Sequence, residues 1–169
     1  RIPSSAASDV YKRQTQEKGN LSDVWKNKFF ISLIPLCFLN YGGVQAVQTL
    51  WAGPWMLNVA GYSPLDSATG LFWINITMLF AFMFWGYILP KFSSLGIDSI
   101  KIVKIGLPIS YVVLFSIIIM GQNAGAIMFT LYILSSIVLS LTQPALALSF
   151  PQNLAGKSLT SINVFIHSG

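Results

Sequence analysis

Ile100-Lys101-Ile102-Val103-Lys104-Ile105-Gly106-Leu107-Pro108-Ile109-Ser110-Tyr111-Val112-Val113-Leu114-Phe115-Ser116-Ile117-Ile118-Ile119-Met120 is an apolar run whose only charges are two lysines in its first turns. At about 1.5 Å per residue, a helix of this length spans roughly 31 Å, the thickness of a bilayer hydrocarbon core. The run is too long for a strand, and the stems of Lys101 and Lys104 can snorkel back to a headgroup layer.

Working outward, residues 29–50, 64–89 and 124–150 read as further spans, and a fifth begins near residue 155 and is cut short. Ser63-Pro64-Leu65-Asp66 supplies an N-cap, a first-position proline and an acid at the capping-box position, so a helix starts there. Pro90 with Lys91 marks the exit of that second span. Gly121-Gln122-Asn123 leaves room only for a tight turn, which makes the third and fourth spans antiparallel neighbours. Pro35 and Gly42-Gly43 predict a bend in the first span, and Pro144 lies near the end of the fourth. Residues 51–63 contain Gly53, Pro54 and Gly61, with Trp51, Trp55 and Tyr62 suited to a headgroup-level aromatic belt. Residues 15–28 read as a polar lead-in helix carrying Trp25, with Ser22 and Asp23 as its caps.

With 54% hydrophobic and 9% charged residues and a mean hydropathy of +0.66, the chain has too little polar surface for a soluble domain. The fold class is therefore all-α, a polytopic membrane helix bundle. Lys18, Lys26 and Lys28 precede the first span, Lys91, Lys101 and Lys104 join the second to the third, and Lys157 follows the fourth; the other two connections have none. Cytoplasmic loops are enriched in Lys and Arg, so the first, third and fifth connections face the cytoplasm. A net charge of +5 distributed in this way is an orientation signal, and a nucleic-acid partner is not expected. The single Cys37 lies inside an apolar run, which excludes a disulfide framework.

Ser4-Ser5-Ala6-Ala7-Ser8-Asp9-Val10-Tyr11-Lys12-Arg13-Gln14 back-translates into a sequence that matches a transposase-type library adapter. Residues 1–14 are therefore expected to be a non-native, disordered scar. Setting them aside leaves seven lysines against four acids and no arginine, so the bias survives. The natural protein is expected to extend beyond both ends.

No Asp, Glu, Lys, Arg or His lies in the middle of a complete span, although proton relays and ion sites are usually built from such groups. The polar residues there are neutral. Tyr41, Gln45 and Gln48 project from one face of the first span, and Tyr132, Ser136, Ser140 and Gln143 fall within about 80° of arc on the fourth. They either line a solute cavity or form interhelical hydrogen bonds that pack the bundle. Asn75 and Thr77 on the second span are ambiguous in the same way, and the sequon they form cannot be glycosylated inside a span. The chain has no phosphate loop, metal-spaced His or Cys cluster, or Ser-His-Asp set, so an enzyme is not expected and no cofactor or metal is implied. The lone His167 reads as an ordinary helix residue.

Tyr41-Gly42-Gly43-Val44-Gln45-Ala46-Val47-Gln48-Thr49-Leu50-Trp51-Ala52-Gly53-Pro54-Trp55, followed by Val59-Ala60-Gly61, resembles a group of bacterial major facilitator superfamily transporters with a Leu-Trp-Ala-Gly-Pro-Trp stretch. Phe150-Pro151-Gln152-Asn153-Leu154-Ala155-Gly156-Lys157-Ser158-Leu159-Thr160-Ser161-Ile162-Asn163 is similar to that group's Phe-Pro-x-x-Leu-Ala-Gly-Arg-Ala-x-Thr-Ala-Leu-Asn segment. The resemblance implies a partial fold of that type: the spans would be helices seven to ten of twelve, with eleven just begun, and helices seven and ten would line a central cavity. It further implies a secondary transporter of a small solute in the bacterial inner membrane, with the lipid bilayer, the solute and an N-terminal half of the same protein as partners. Tyr41, Gln45, Gln48, Tyr132, Ser136 and Gln143 would then be the cavity candidates, and Lys91, Lys101, Lys104 and Lys157 cytoplasmic-loop charges. Gly86-Tyr87-Ile88-Leu89-Pro90-Lys91-Phe92-Ser93 lacks the acid and arginine of the superfamily's Gly-x-x-x-Asp-Arg-x-Gly loop, so that motif's gating contact is not carried over. Lys157 stands where the similar segment has Arg, which keeps the charge and loses the bidentate fork. Rival readings are a polytopic membrane enzyme and a nonenzymatic sensor or assembly subunit.

Overall fold

The computed structural model describes residues 20–168. Residues 1–14, expected to be an adapter-derived, disordered scar, lie outside them, as does Lys18. The described residues are helical and contain no strand. Four helices are long and apolar enough to cross a membrane: Lys28–Asn58, Pro64–Ser94, Ser99–Asn123 and Ala126–Leu148. They are called the first to fourth spans below. A short lead-in helix, Leu21–Lys26, precedes them, and a last helix, Gln152–Ser168, follows. The chain is an all-α, multi-pass membrane-embedded bundle.

Capping chemistry sets most of the boundaries. Ser63 Oγ accepts from Asp66 N–H at 3.1 Å while donating to Asp66 Oδ2 at 2.6 Å, and the second span starts at Pro64 as its sequence predicts. The lead-in helix differs from expectation: Asn20, not Ser22 or Asp23, accepts from the first turn. Asn27 then caps the first span through Phe29 and Phe30 N–H.

Two spans run past their predicted ends. Pro90 does not terminate the second span, which continues to Ser94. It stops at Gly96, whose φ of 73° suits a residue without Cβ. There Ile97 N–H donates to Phe92 O and Gly96 N–H to Ser93 O, a complete Schellman cap. The first span does not end near Leu50 either. A wide π turn at Val47–Trp51, in which Ala52 N–H reaches back five residues to Val47 O, leads into helix through Asn58. Such a turn loosens the backbone just ahead of Pro54, which has no N–H to offer Leu50. Tertiary packing then holds Ala52, Gly53 and Met56 in the core.

The fourth span carries a second irregularity. Its 3-10 segment Ile137–Leu141 coincides with Ser140 Oγ donating to Ile137 O and Thr142 Oγ1 to Leu139 O, both at 2.7 Å. Side-chain bonds three residues back, together with the missing N–H of Pro144, favour the tighter winding.

The spans alternate in direction, and one depression demonstrates it. Phe29 at the start of the first span, Ser93 at the end of the second, Asp98 and Ile100 at the start of the third, and Ala145 and Ser149 at the end of the fourth line one hollow of about 410 Å³. All the lysine-bearing ends therefore meet on one side. Lys101 and Lys104 stand in the first turns of the third span, as the sequence predicts, after the Asp98 cap; Lys91 and Lys157, expected as loop charges, also stand on helices, the Gly96 cap lying beyond Lys91 and Lys157 falling in the last helix. Lys91 Nζ donates to Tyr87 OH at 2.9 Å and lies 4.1 Å from its ring centroid.

The fourth span is central. Half of its most apolar window is buried, against 11–17% for the other three. Gly106 of the third span lies close against it, with no room for a Cβ beside Val138. At the lysine end the last helix lays Leu154, Ser158, Ile162 and Ile166 on the bundle, joining a core of Val24, Phe30, Leu33, Cys37 and Leu146. Trp25 stacks edge-on against both Phe30 and Phe165 there. At the opposite end Ala52, Met56, Ile74, Ile117, Phe129 and Tyr132 form a second core, and Val103, Leu139 and Leu141 a third.

Trp55 and Tyr62, read as headgroup-level aromatics, turn inward and bond the turn between the third and fourth spans. Trp55 Nε1–H donates to Ala124 O at 3.1 Å and its ring meets Phe129, while Tyr62 OH accepts from Ala126 N–H at 3.4 Å. The tight turn leaves the carbonyl of buried Ala124 and the Ala126 N–H without helix partners, and these two side chains meet them. Trp51, 63% exposed, is the one of the three placed for a belt.

Candidate functional site

Between the two irregular helices lies a cavity of about 230 Å³. The first span contributes Tyr41, Gln45 and Gln48; the fourth contributes Ser136 and Ser140. Met78 and Phe82 of the second span close its side. The third wall was not legible in sequence, because both residues belong to an apolar run with no face marked as inward. A second hollow of about 390 Å³ shares Tyr41, Gln45, Phe82 and Ser140 and continues toward the lysine end, where Gln143 and His167 line it. The two form one polar-studded groove along the first and fourth spans.

Gln48 and Ser136 are the buried members, at 8% and 4% exposure. Gln48 Nε2 donates to Asn75 Oδ1 at 2.8 Å, and Asn75 Nδ2 donates to Leu71 O at 2.8 Å. The Leu71 carbonyl can only accept, so it fixes the Asn75 amide, which in turn fixes that of Gln48. The relay leaves Gln48 Oε1 without a protein partner, and Ser136 Oγ is also buried without one. The Tyr132 hydroxyl, one turn earlier on the same helix, interacts with Ser136 without making a hydrogen bond of full geometry. Unlike Ser136, the neighbouring Ser135 and Ser140 both bond back to their own helix. Buried polar atoms are nearly always paired, so two orphans on one cavity call for an occupant.

Five of the six predicted cavity residues line this groove. Tyr132 does not: it lies in the apolar core with Met56, Ile74 and Ile117, because the second and third spans both press on the fourth at that level. Gln45 differs from Gln48 in being exposed at the mouth. Asn75, ambiguous in sequence, anchors Gln48. On the polar face of the first and fourth spans Gln48 and Ser136 are enclosed, while Gln45 is exposed and Tyr41 and Ser140 are half-buried. His167, read as an ordinary helix residue, contributes to the lining at the groove's lysine end.

A bundle of antiparallel membrane spans around a partly polar cavity defines a class, the multi-pass membrane protein with a small internal cavity. No known protein family, curated protein or solved structure matches the chain.

Proposed function

We propose that the chain is part of a secondary active transporter of the major facilitator type in a bacterial inner membrane, moving a small solute by alternating access. The observation that carries this reading is the cavity between the first, second and fourth spans, with Gln48 and Ser136 in its wall and their Oε1 and Oγ atoms unpaired. Transporter sites sit near the bilayer midplane beside helices whose regular winding is interrupted. The π turn at Val47–Trp51 and the 3-10 segment at Ile137–Leu141 are interruptions of that kind, one on each side of the cavity.

The lysine end faces the cytoplasm, in keeping with the positive-inside rule. Rocking closes this half against a second, N-terminal half, so the groove is one wall of the solute path. The likeness of residues 41–55 and 150–163 to the superfamily supports the same assignment. Catalysis is not proposed, and the solute takes no cofactor. Uptake of a solute panel into proteoliposomes containing the intact protein is the test, with Gln45→Ala and Gln48→Ala alongside. Uptake lost in Gln48→Ala is the expected result; no uptake of any solute by the intact protein would defeat the proposal.

A further inference from the structure

We infer that the cavity is a subsite for an uncharged solute group bearing an N–H or O–H donor on a compact apolar body; the inference rests on the transporter reading and names its solute class. The asymmetry of the amide relay carries it. Because Leu71 O orients Asn75 and Asn75 Oδ1 takes the Gln48 Nε2 proton, Gln48 presents an oxygen that can only accept. Its complement on a ligand is a donor. Ser136, whose Oγ also lacks a full hydrogen bond, lines the same cavity and supplies a second polar contact.

Charge and size narrow the class. The lining holds no Asp, Glu, Lys, Arg or His, and an ion buried there would lack a counter-charge. Val44, Met78, Phe82, Ile133 and Leu139 make most of the wall, so the rest of the group is apolar. At about 230 Å³ the space lies below the roughly 300–1,000 Å³ typical of drug-sized ligands. A solute group of about the size of a substituted benzene suits it.

The test uses three isosteres, benzamide, acetophenone and benzoate, with the intact protein in lipid nanodiscs and affinities from saturation-transfer NMR. Only benzamide is neutral and carries a donor. Its Kd is expected to be about tenfold below that of acetophenone, the factor associated with leaving a buried acceptor unpaired, with benzoate weaker still. Gln48→Met should bring benzamide to the acetophenone level, and Ser136→Ala should weaken it several-fold. Should Gln48→Met fail to fold, the wild-type isostere series and Ser136→Ala still decide. Equal binding of acetophenone, tighter binding of benzoate, no binding of benzamide, or benzamide binding indifferent to both variants would each overturn the inference; the last would mean that water satisfies the orphan atoms. Solute uptake is read separately, so the solute class can fail while transport stands, and transport can fail while the subsite binds.

Discussion

Replacing Gly106 by alanine tests a close contact between the third and fourth spans. A Cβ at Gly106 would lie 2.5 Å from Val138 Cγ2, 3.1 Å from Cγ1 and 3.2 Å from Cβ. Carbon atoms rest at about 3.5–4.0 Å, so the new methyl would be about 1 Å or more too close. Rotating Val138 gives no relief, because its second methyl and its Cβ are also too near. The third and fourth spans must then separate, and overpacking of this kind costs roughly 1–3 kcal/mol. Alanine returns about 0.5–1 kcal/mol through helix propensity, which leaves a net loss of about 1–2 kcal/mol. In a Val138→Ala background the clash is gone, and the same Gly106→Ala change should stabilise by about 0.5–1 kcal/mol. The reversal of sign, a coupling of roughly 2 kcal/mol, is the quantity to measure by denaturant titration of all four proteins. Gly86, with nothing within 4 Å, serves as the control and should gain from alanine in either background. Stabilisation by Gly106→Ala in the wild-type background would refute the contact between these spans.

Three further outcomes follow from other contacts. Trp55→Phe removes the indole donor to the carbonyl of buried Ala124 and should cost about 1–3 kcal/mol in the same titration, with little change for Trp51→Phe. Ser63→Ala removes the N-cap of the second span and should cost about 1 kcal/mol, whereas Ser63→Asn should retain most of the stability; equal losses would contradict the capping geometry. Cysteines placed at Ser94 and Gln122 should react with an impermeant maleimide from opposite membrane faces, over a silent background because Cys37 is 1% exposed. Labelling of both from one face would reverse the alternation of the spans.

Features written in short-range chemistry were legible in the sequence. Ser63 to Asp66 specifies a helix start through atoms within four residues of one another, and Gly121 to Asn123 specifies a turn through its length. Gln45 and Gln48 stand out because amides are rare among apolar residues. What the sequence concealed depended on partners far along the chain. Pro54 and Pro90 predict breaks, yet a π turn tolerates the first and a distal Gly96 cap supersedes the second. Trp55 and Tyr62 look like belt residues until the turn at Ala124 and Ala126 is brought beside them. Tyr132 shares a helical face with Ser136, but facing the same way does not reveal which neighbour covers it, and here the core does. Met78 and Phe82 became site residues only through packing.

The fourth span belongs to every core in the bundle: Leu146 to the one at the lysine end, Leu139 and Leu141 to the middle, and Phe129, Tyr132 and Ile133 to the far end. None of these clusters can melt without it. Unfolding is thereby made cooperative along the full thickness of the membrane, and amide hydrogen exchange should be slowest in Ala126–Leu148, through global opening, while the second span, covered on so little of its surface, exchanges by local fraying.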